Sequence, residues 1–171
     1  MIIRLSQKLC TKIKAGSLTT HPLDENPFAD WSAHLFVADR TPYILLSNTK
    51  SLYSTVMYGQ EITNDRRFIE RVMSNLREFM ADDGQQFIYR SFIAPATTSV
   101  RFAKALNRTV TGSMNELIIH ATAMLVEGEL SPYDVGFKLN DVLLSAITPS
   151  KSKKYGKPRE VFKSLASSIE P

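Results

Sequence analysis

Residues 31–58 read WSAHLFVADRTPYILLSNTKSLYSTVMY, and this stretch decides the fold class. Trp31, Ala33, Leu35 and Val37 alternate with Ser32, His34, Phe36 and Ala38, the period of two expected of a strand. Asp39-Arg40-Thr41-Pro42 supplies a turn, and Tyr43–Leu46 is an apolar run too short for a helix. Asn48-Thr49-Lys50 turns the chain again. The β-branched and aromatic residues of Leu52–Tyr58 then read as a third strand, or alternatively as one helical turn. Strands at 31–38, 43–47 and 51–58, joined by short turns, predict an antiparallel meander.

Helical signals flank it. Thr63 or Asn64 caps a helix over Asp65–Ala81, whose apolar stripe is Phe68, Ile69, Val72, Leu76, Phe79 and Met80. Upstream, Ile2 and Ile3 suggest a short strand, and Ser6 caps a helix to Lys14 through Leu5, Leu9 and Ile13. Downstream, Gln86–Phe92 is ambiguous and reads as an edge strand, while Ser99–Leu106 alternates as a strand. Ser113 and Glu116 have the spacing of a capping box for a helix over Met114–Val126. Ser131-Pro132 opens a helix running to about Ile147. A Lys/Ser linker over Pro149–Gly156, predicted to be mobile, leads to a helix over Arg159–Ser167 that docks through Val161, Phe162 and Leu165. The reading is α+β: a small antiparallel β-meander packed against several α-helices in one compact domain over residues 1–149, with a basic linker and short helix over 150–171.

A chain of 171 residues with 43% hydrophobic content suits one folded domain. Its single cysteine, Cys10, forms no intrachain disulfide, and no apolar run approaches the ~20 residues that span a bilayer. The expectation is a cytoplasmic protein with no membrane partner. Residues 1–149 carry 15 Lys/Arg and 15 Asp/Glu, so the net charge of +4 arises in residues 150–171. Arg4, Lys8, Lys12 and Lys14 make the other end basic as well. Two basic ends lying side by side would form a positive patch for nucleic acid or an acidic protein.

Lys104–Glu116, KALNRTVTGSMNE, forms a polar corner, and it stands directly before an apolar helical run. Gly112 permits close approach, Ser113 offers a hydroxyl, and Arg108 brings a bidentate cation. A helix beginning at Ser113 would aim its positive end at an anion. Lys104, Asn107, Arg108, Gly112, Ser113 and Asn115 are therefore the candidate anion-binding residues. The plainer alternative is that Ser113 and Glu116 cap the helix while Asn107 and Arg108 stabilise a turn. His120, seven residues after Ser113 on roughly the same helix face, is the candidate for proton transfer. His21, His34 and His120 lack metal-ligand spacing, and the chain shows no metal motif and no cofactor signature. Asp24-Glu25 and Asp82-Asp83 fall at element ends, where solvation or turn formation accounts for them. Trp31, Tyr43, Tyr53 and Tyr58 could stack bases, but a meander needs aromatic residues for its own core.

Asp30-Trp31-Ser32-Ala33-His34-Leu35, Asp39-Arg40 and Leu46–Leu52 resemble a bacterial family catalogued as domain of unknown function six-nine-three-three, with its D-W-x-A-N-L, D-R-R and L-F-x-N-x-x-T-L patterns. Lys104, Asn107–Val110 and Gly112–Glu116 are similar to that family's K-x-x-N-R-S-V-x-G-S-M-N-D block, which is the more specific part. The likeness covers residues 1 to about 125 and, more loosely, extends to Pro158. His34 replaces an Asn and Thr41 a second basic residue, and the former exchange argues against His34 as a general base. The resemblance implies a self-contained cytoplasmic domain and names no reaction. The leading expectation is a binding module for an anionic partner, nucleic acid or an acidic protein surface, through the 107–116 corner and the basic termini. One alternative is a small enzyme acting on a phosphodiester or nucleotide with Arg108, Ser113 and His120. Another is the partner-neutralising subunit of a two-gene, toxin–antitoxin-like module.

Overall fold

Alternating apolar residues on both sides of one sheet require two covering layers, and the chain supplies them from helices on either side of the meander. The computed structural model describes residues 1–148 and 153–169. The meander is present as β2 (Asp30–Ala38), β3 (Thr41–Asn48) and β4 (Ser54–Tyr58), paired antiparallel in sequence. Two strands extend it: β1 (Ile2–Leu5) and β5 (Arg101–Ala103), giving the order β4-β3-β2-β1-β5. β1 runs parallel to both β2 and β5. The sheet is therefore mixed, which corrects the expectation of a purely antiparallel one.

One face of this sheet is covered by α1 (Gln7–Ile13), α2 (Asp65–Asp82) and α6 (Pro158–Ser167), whose Leu9, Ile13, Phe68, Val72, Leu76, Phe79 and Phe162 meet Ile3, Trp31, Ile44 and Leu46. The other face is covered by α4 (Arg108–Val126) and α5 (Pro132–Leu139), whose Met114, Leu117, Ala121, Val135 and Leu139 meet Phe36, Ala38, Leu45 and Val56. Between α2 and β5, a short α3 (Gln86–Ile88) continues as a π turn (Tyr89–Ile93) and a 3-10 turn (Ala94–Thr98). The edge strand expected at 86–92 is thus helical. Its Ile88 and Ile93 are buried five residues apart, a spacing that suits the wide turn.

The helix expected to reach Ile147 stops at Leu139, because Asn140 leaves it to serve the sheet. The Asn140 side chain accepts from the Ser54 N–H at 2.7 Å and donates to the Ser54 carbonyl at 2.9 Å, satisfying backbone groups of the outer strand β4. Gly136 makes this approach possible, since a Cβ there would lie 2.8 Å from Phe79 and 3.2 Å from Thr55 Cα. At the end of the chain, Phe162 of α6 stacks on Tyr53 with centroids 4.3 Å apart and meets Phe28 edge-on. Of the predicted linker, residues 149–152 lie outside the described residues. Gly156 is buried and pairs with Leu144 through two 2.9 Å backbone hydrogen bonds.

Asp24 accepts from the Asn26 N–H in a turn, as expected, but the Asp82-Asp83 pair does more. Asp83 accepts from the Tyr53 hydroxyl and from Arg159, and Asp82 accepts from the Tyr133 hydroxyl, tying the end of α2 to the core, α5 and α6. Burial and the adjacent carboxylates push both tyrosines above their ordinary range.

Candidate functional site

The polar corner begins where β5 ends. The Lys104 N–H donates to the Thr19 carbonyl, and its own carbonyl accepts from the buried Arg4 guanidinium at 3.3 Å. Arg4 meanwhile grips Asp30 with two 2.8 Å bonds and donates to the carbonyls of His21 and Pro22. The entry to the corner is thus fixed from beneath. Arg4 is 1% exposed, so it contributes nothing to the positive surface expected of the N-terminal segment. Arg159 is likewise engaged, by Asp83 and Asp141. Burial alone would lower its pKa, but the hydrogen bonds and charges of these two carboxylates hold it above its ordinary value.

The helix starts at Arg108, five residues before the predicted Ser113. Asn107 is its cap, in extended geometry, with its side chain accepting from the Val110 N–H at 2.9 Å. Ser113 and Glu116 form no capping box because both lie inside the helix. Ser113 is buried, and its hydroxyl donates back to the Thr109 carbonyl at 3.0 Å. The six predicted anion-binding residues therefore separate. Asn107 and Ser113 satisfy the helix backbone, and Lys104 is held through its backbone beside the end of β1. Arg108, Gly112 and Asn115 stand exposed on α4, and no side-chain hydrogen bond or ion pair engages them among the described residues.

His120 is half-buried on the same helix. Seven residues of α-helix rise about 10.5 Å, so Ser113 and His120 are too far apart to exchange a proton directly. Among the described residues no group of three His, Cys, Asp or Glu side chains could hold a metal ion. A cleft of about 890 Å³ opens beside α2, lined by residues including Arg77, Asp82, Tyr89, Arg90 and Tyr133, and none of the predicted site residues lines it. Lys104 borders a different cleft of about 620 Å³, together with Gln7, Cys10 and Leu18.

What the sequence reading missed lies further along α4. Ile119 is 71% exposed and Val126 is 45% exposed. With Arg108, Gly112, Asn115 and the exposed Ala123 they form a single stripe at three- and four-residue spacing, opposite the buried Met114, Leu117 and Ala121. The 4-3-4 spacing from Arg108 to Ile119 was the available signal. It was obscured by starting the helix at Ser113. Gly112 is unusual within this stripe. Beyond its own helical turn, a Cβ there would meet no atom of the described residues within 4 Å, so neither packing nor backbone conformation requires a glycine.

The motif residues can now be sorted by what they do. Asp30 receives Arg4, Trp31 donates its indole N–H to the Phe28 carbonyl, and Asn48 organises the β3–β4 turn by accepting from Ser51 and donating to Pro27. Asn107 caps α4, and Met114 fills the core. Arg108, Gly112, Asn115 and Glu116 are exposed members of the block that make no side-chain hydrogen bond or ion pair among the described residues.

The family model described as "Domain of unknown function (DUF6933)" matches residues 2–161, and the chain belongs to that family. No curated protein and no solved structure gives a match. No described helix is long and apolar enough to cross a membrane.

Proposed function

We propose that this family member is a binding module whose outward α4 face takes an anionic partner, and that the partner is an acidic protein surface. One observation carries the reading: Arg108, which forms no ion pair among the described residues, shares an exposed helix stripe with the open Gly112 and the 71% exposed Ile119. A cation beside exposed aliphatic surface suits a protein partner, which offers carboxylates and apolar contacts together. Nucleic acid would instead favour a cluster of free cations. Two of the end cations counted in the sequence, Arg4 and Arg159, are consumed inside the fold. The enzymatic alternative, in which Arg108 and Ser113 hold a phosphate, is less favoured because the Ser113 hydroxyl donates to the Thr109 carbonyl. Nothing in the geometry favours the two-gene alternative specifically.

The test uses fluorescence anisotropy with two labelled probes: an amphipathic helical peptide of Glu and Leu at heptad spacing, and a single-stranded oligonucleotide. The peptide should bind, Arg108→Ala and Ile119→Asp should each weaken it, and both variants should melt close to the wild-type temperature. Selective oligonucleotide binding, with a steep salt dependence, would replace the acidic protein by nucleic acid. Binding of neither probe would reduce the corner to a structural helix start.

A further inference from the structure

Ile119 and Gly112 are a knob and a notch on one face of one helix. They lie seven residues apart, which is two turns and about 10.5 Å, so both point outward on the same stripe. Ile119 is 71% exposed, whereas the space above Gly112 is open. The inward face of α4 is already occupied by the sheet and α5, through Met114, Leu117 and Ala121. The outward face is mixed, with exposed Ile119 and Val126 among polar residues, and these aliphatic side chains would gain from a second cover.

We propose that this cover is a second copy of the chain, its α4 laid antiparallel across the first about a two-fold axis near residues 115–116. The inference rests on the docking reading of α4 given above and names its partner, whose carboxylate contribution is Glu127. In this register each Ile119 seats on the Gly112 of the other copy, and both contacts form at once, as an isologous interface requires. Arg108 and Glu127 follow the same symmetry, while the exposed Glu116 of each copy stands beside the axis on the flank of the contact. Arg108 of each copy lies over Ala123 of the other, four residues (about 6 Å) from the exposed Glu127. Among the described residues Arg108 has no acidic partner and Glu127 no cationic one, and the pairing supplies both. The negative end of the facing helix also favours Arg108 at that position. A parallel alignment would instead set Ile119 on Ile119, Gly112 on Gly112 and Arg108 on Arg108, so knob meets knob and like charges meet. A single helix pair of about 28 Å forms a contact at the small end of specific interfaces, so the dimer should dissociate on dilution.

The test is sedimentation velocity of the full chain over a hundredfold concentration range, with Arg108→Glu, Glu127→Arg, the double swap and Ile119→Asp. The wild type should pass from monomer to dimer, each single reversal should weaken the dimer about tenfold, and the double swap should restore most of the loss. Because these positions are exposed, thermal melts should confirm that all variants fold. A wild type that stays monomeric throughout, or a dimer indifferent to the single reversals and to Ile119→Asp, would overturn the proposal. A monomer that still binds the acidic peptide would remove the second copy while leaving the docking face in place. A monomer that binds nothing would remove both.

Discussion

Two glycines, 24 positions apart, show how much the surroundings decide. Gly136 has Phe79 and the Thr55 backbone where a side chain would begin, and Gly112 has nothing. Gly136→Ala should therefore destabilise the fold by about 1–3 kcal/mol through overpacking between α5 and β4. Gly112→Ala should stabilise it by about 0.5–1 kcal/mol, because alanine gains helix propensity at no steric cost, and should at the same time weaken α4 docking. Chemical denaturation measures both, and a destabilising Gly112→Ala would mean that its open space is occupied in the folded chain. The helix start was misread at this scale. Both Asn107 and Ser113 are acceptable caps by residue type, and the capping-box spacing drew the reading to Ser113. Val110 decides between them. It is partly buried one turn before Met114, so the apolar stripe Val110, Met114, Leu117, Ala121 begins upstream of Ser113 and carries the helix with it.

At the scale of elements, the meander and α2 were legible because their information is local: alternation, turn residues and a strong apolar stripe. β1 and β5 were recognisable as strands, but their parallel pairing was not. It joins the four-residue β1 to β2 at positions 28 apart and to the three-residue β5 at positions 99 apart, and nothing in so short a pattern specifies a partner. What holds this pairing is Arg4, which was read as a surface cation. From β1 it links Asp30 of β2, the 21–22 loop and the carbonyl just beyond β5. Arg4→Ala leaves the Asp30 carboxylate buried without its partner and should cost about 3–5 kcal/mol, measured by urea unfolding. A loss below about 1 kcal/mol, the range of exposed pairs, would show that the pair is not the clamp between these elements.

For the molecule as a whole, pH and concentration are the informative variables. His34 is buried in β2, and burial lowers its pKa from the ordinary value of about 6.5. Below that value the unfolded chain binds a proton that the folded chain resists, so unfolding is favoured and stability falls as pH drops from about 6.5 toward the lowered folded value. His34→Asn should flatten this part of the stability profile, and an unchanged slope would assign it to other groups. The candidate site was only partly visible in the sequence for a related reason. Residue types located the polar corner, but which of its members are consumed by capping, burial or ion pairing is a property of the folded whole. The outward face of α4 is what that accounting leaves free. Amide hydrogen exchange on the full chain at low and high protein concentration tests it most directly. Protection of residues 108–127 should rise with concentration while α2 stays constant. Exchange in α4 that is identical at both concentrations, and unchanged by saturating acidic peptide, would contradict the assignment of this face to partner binding.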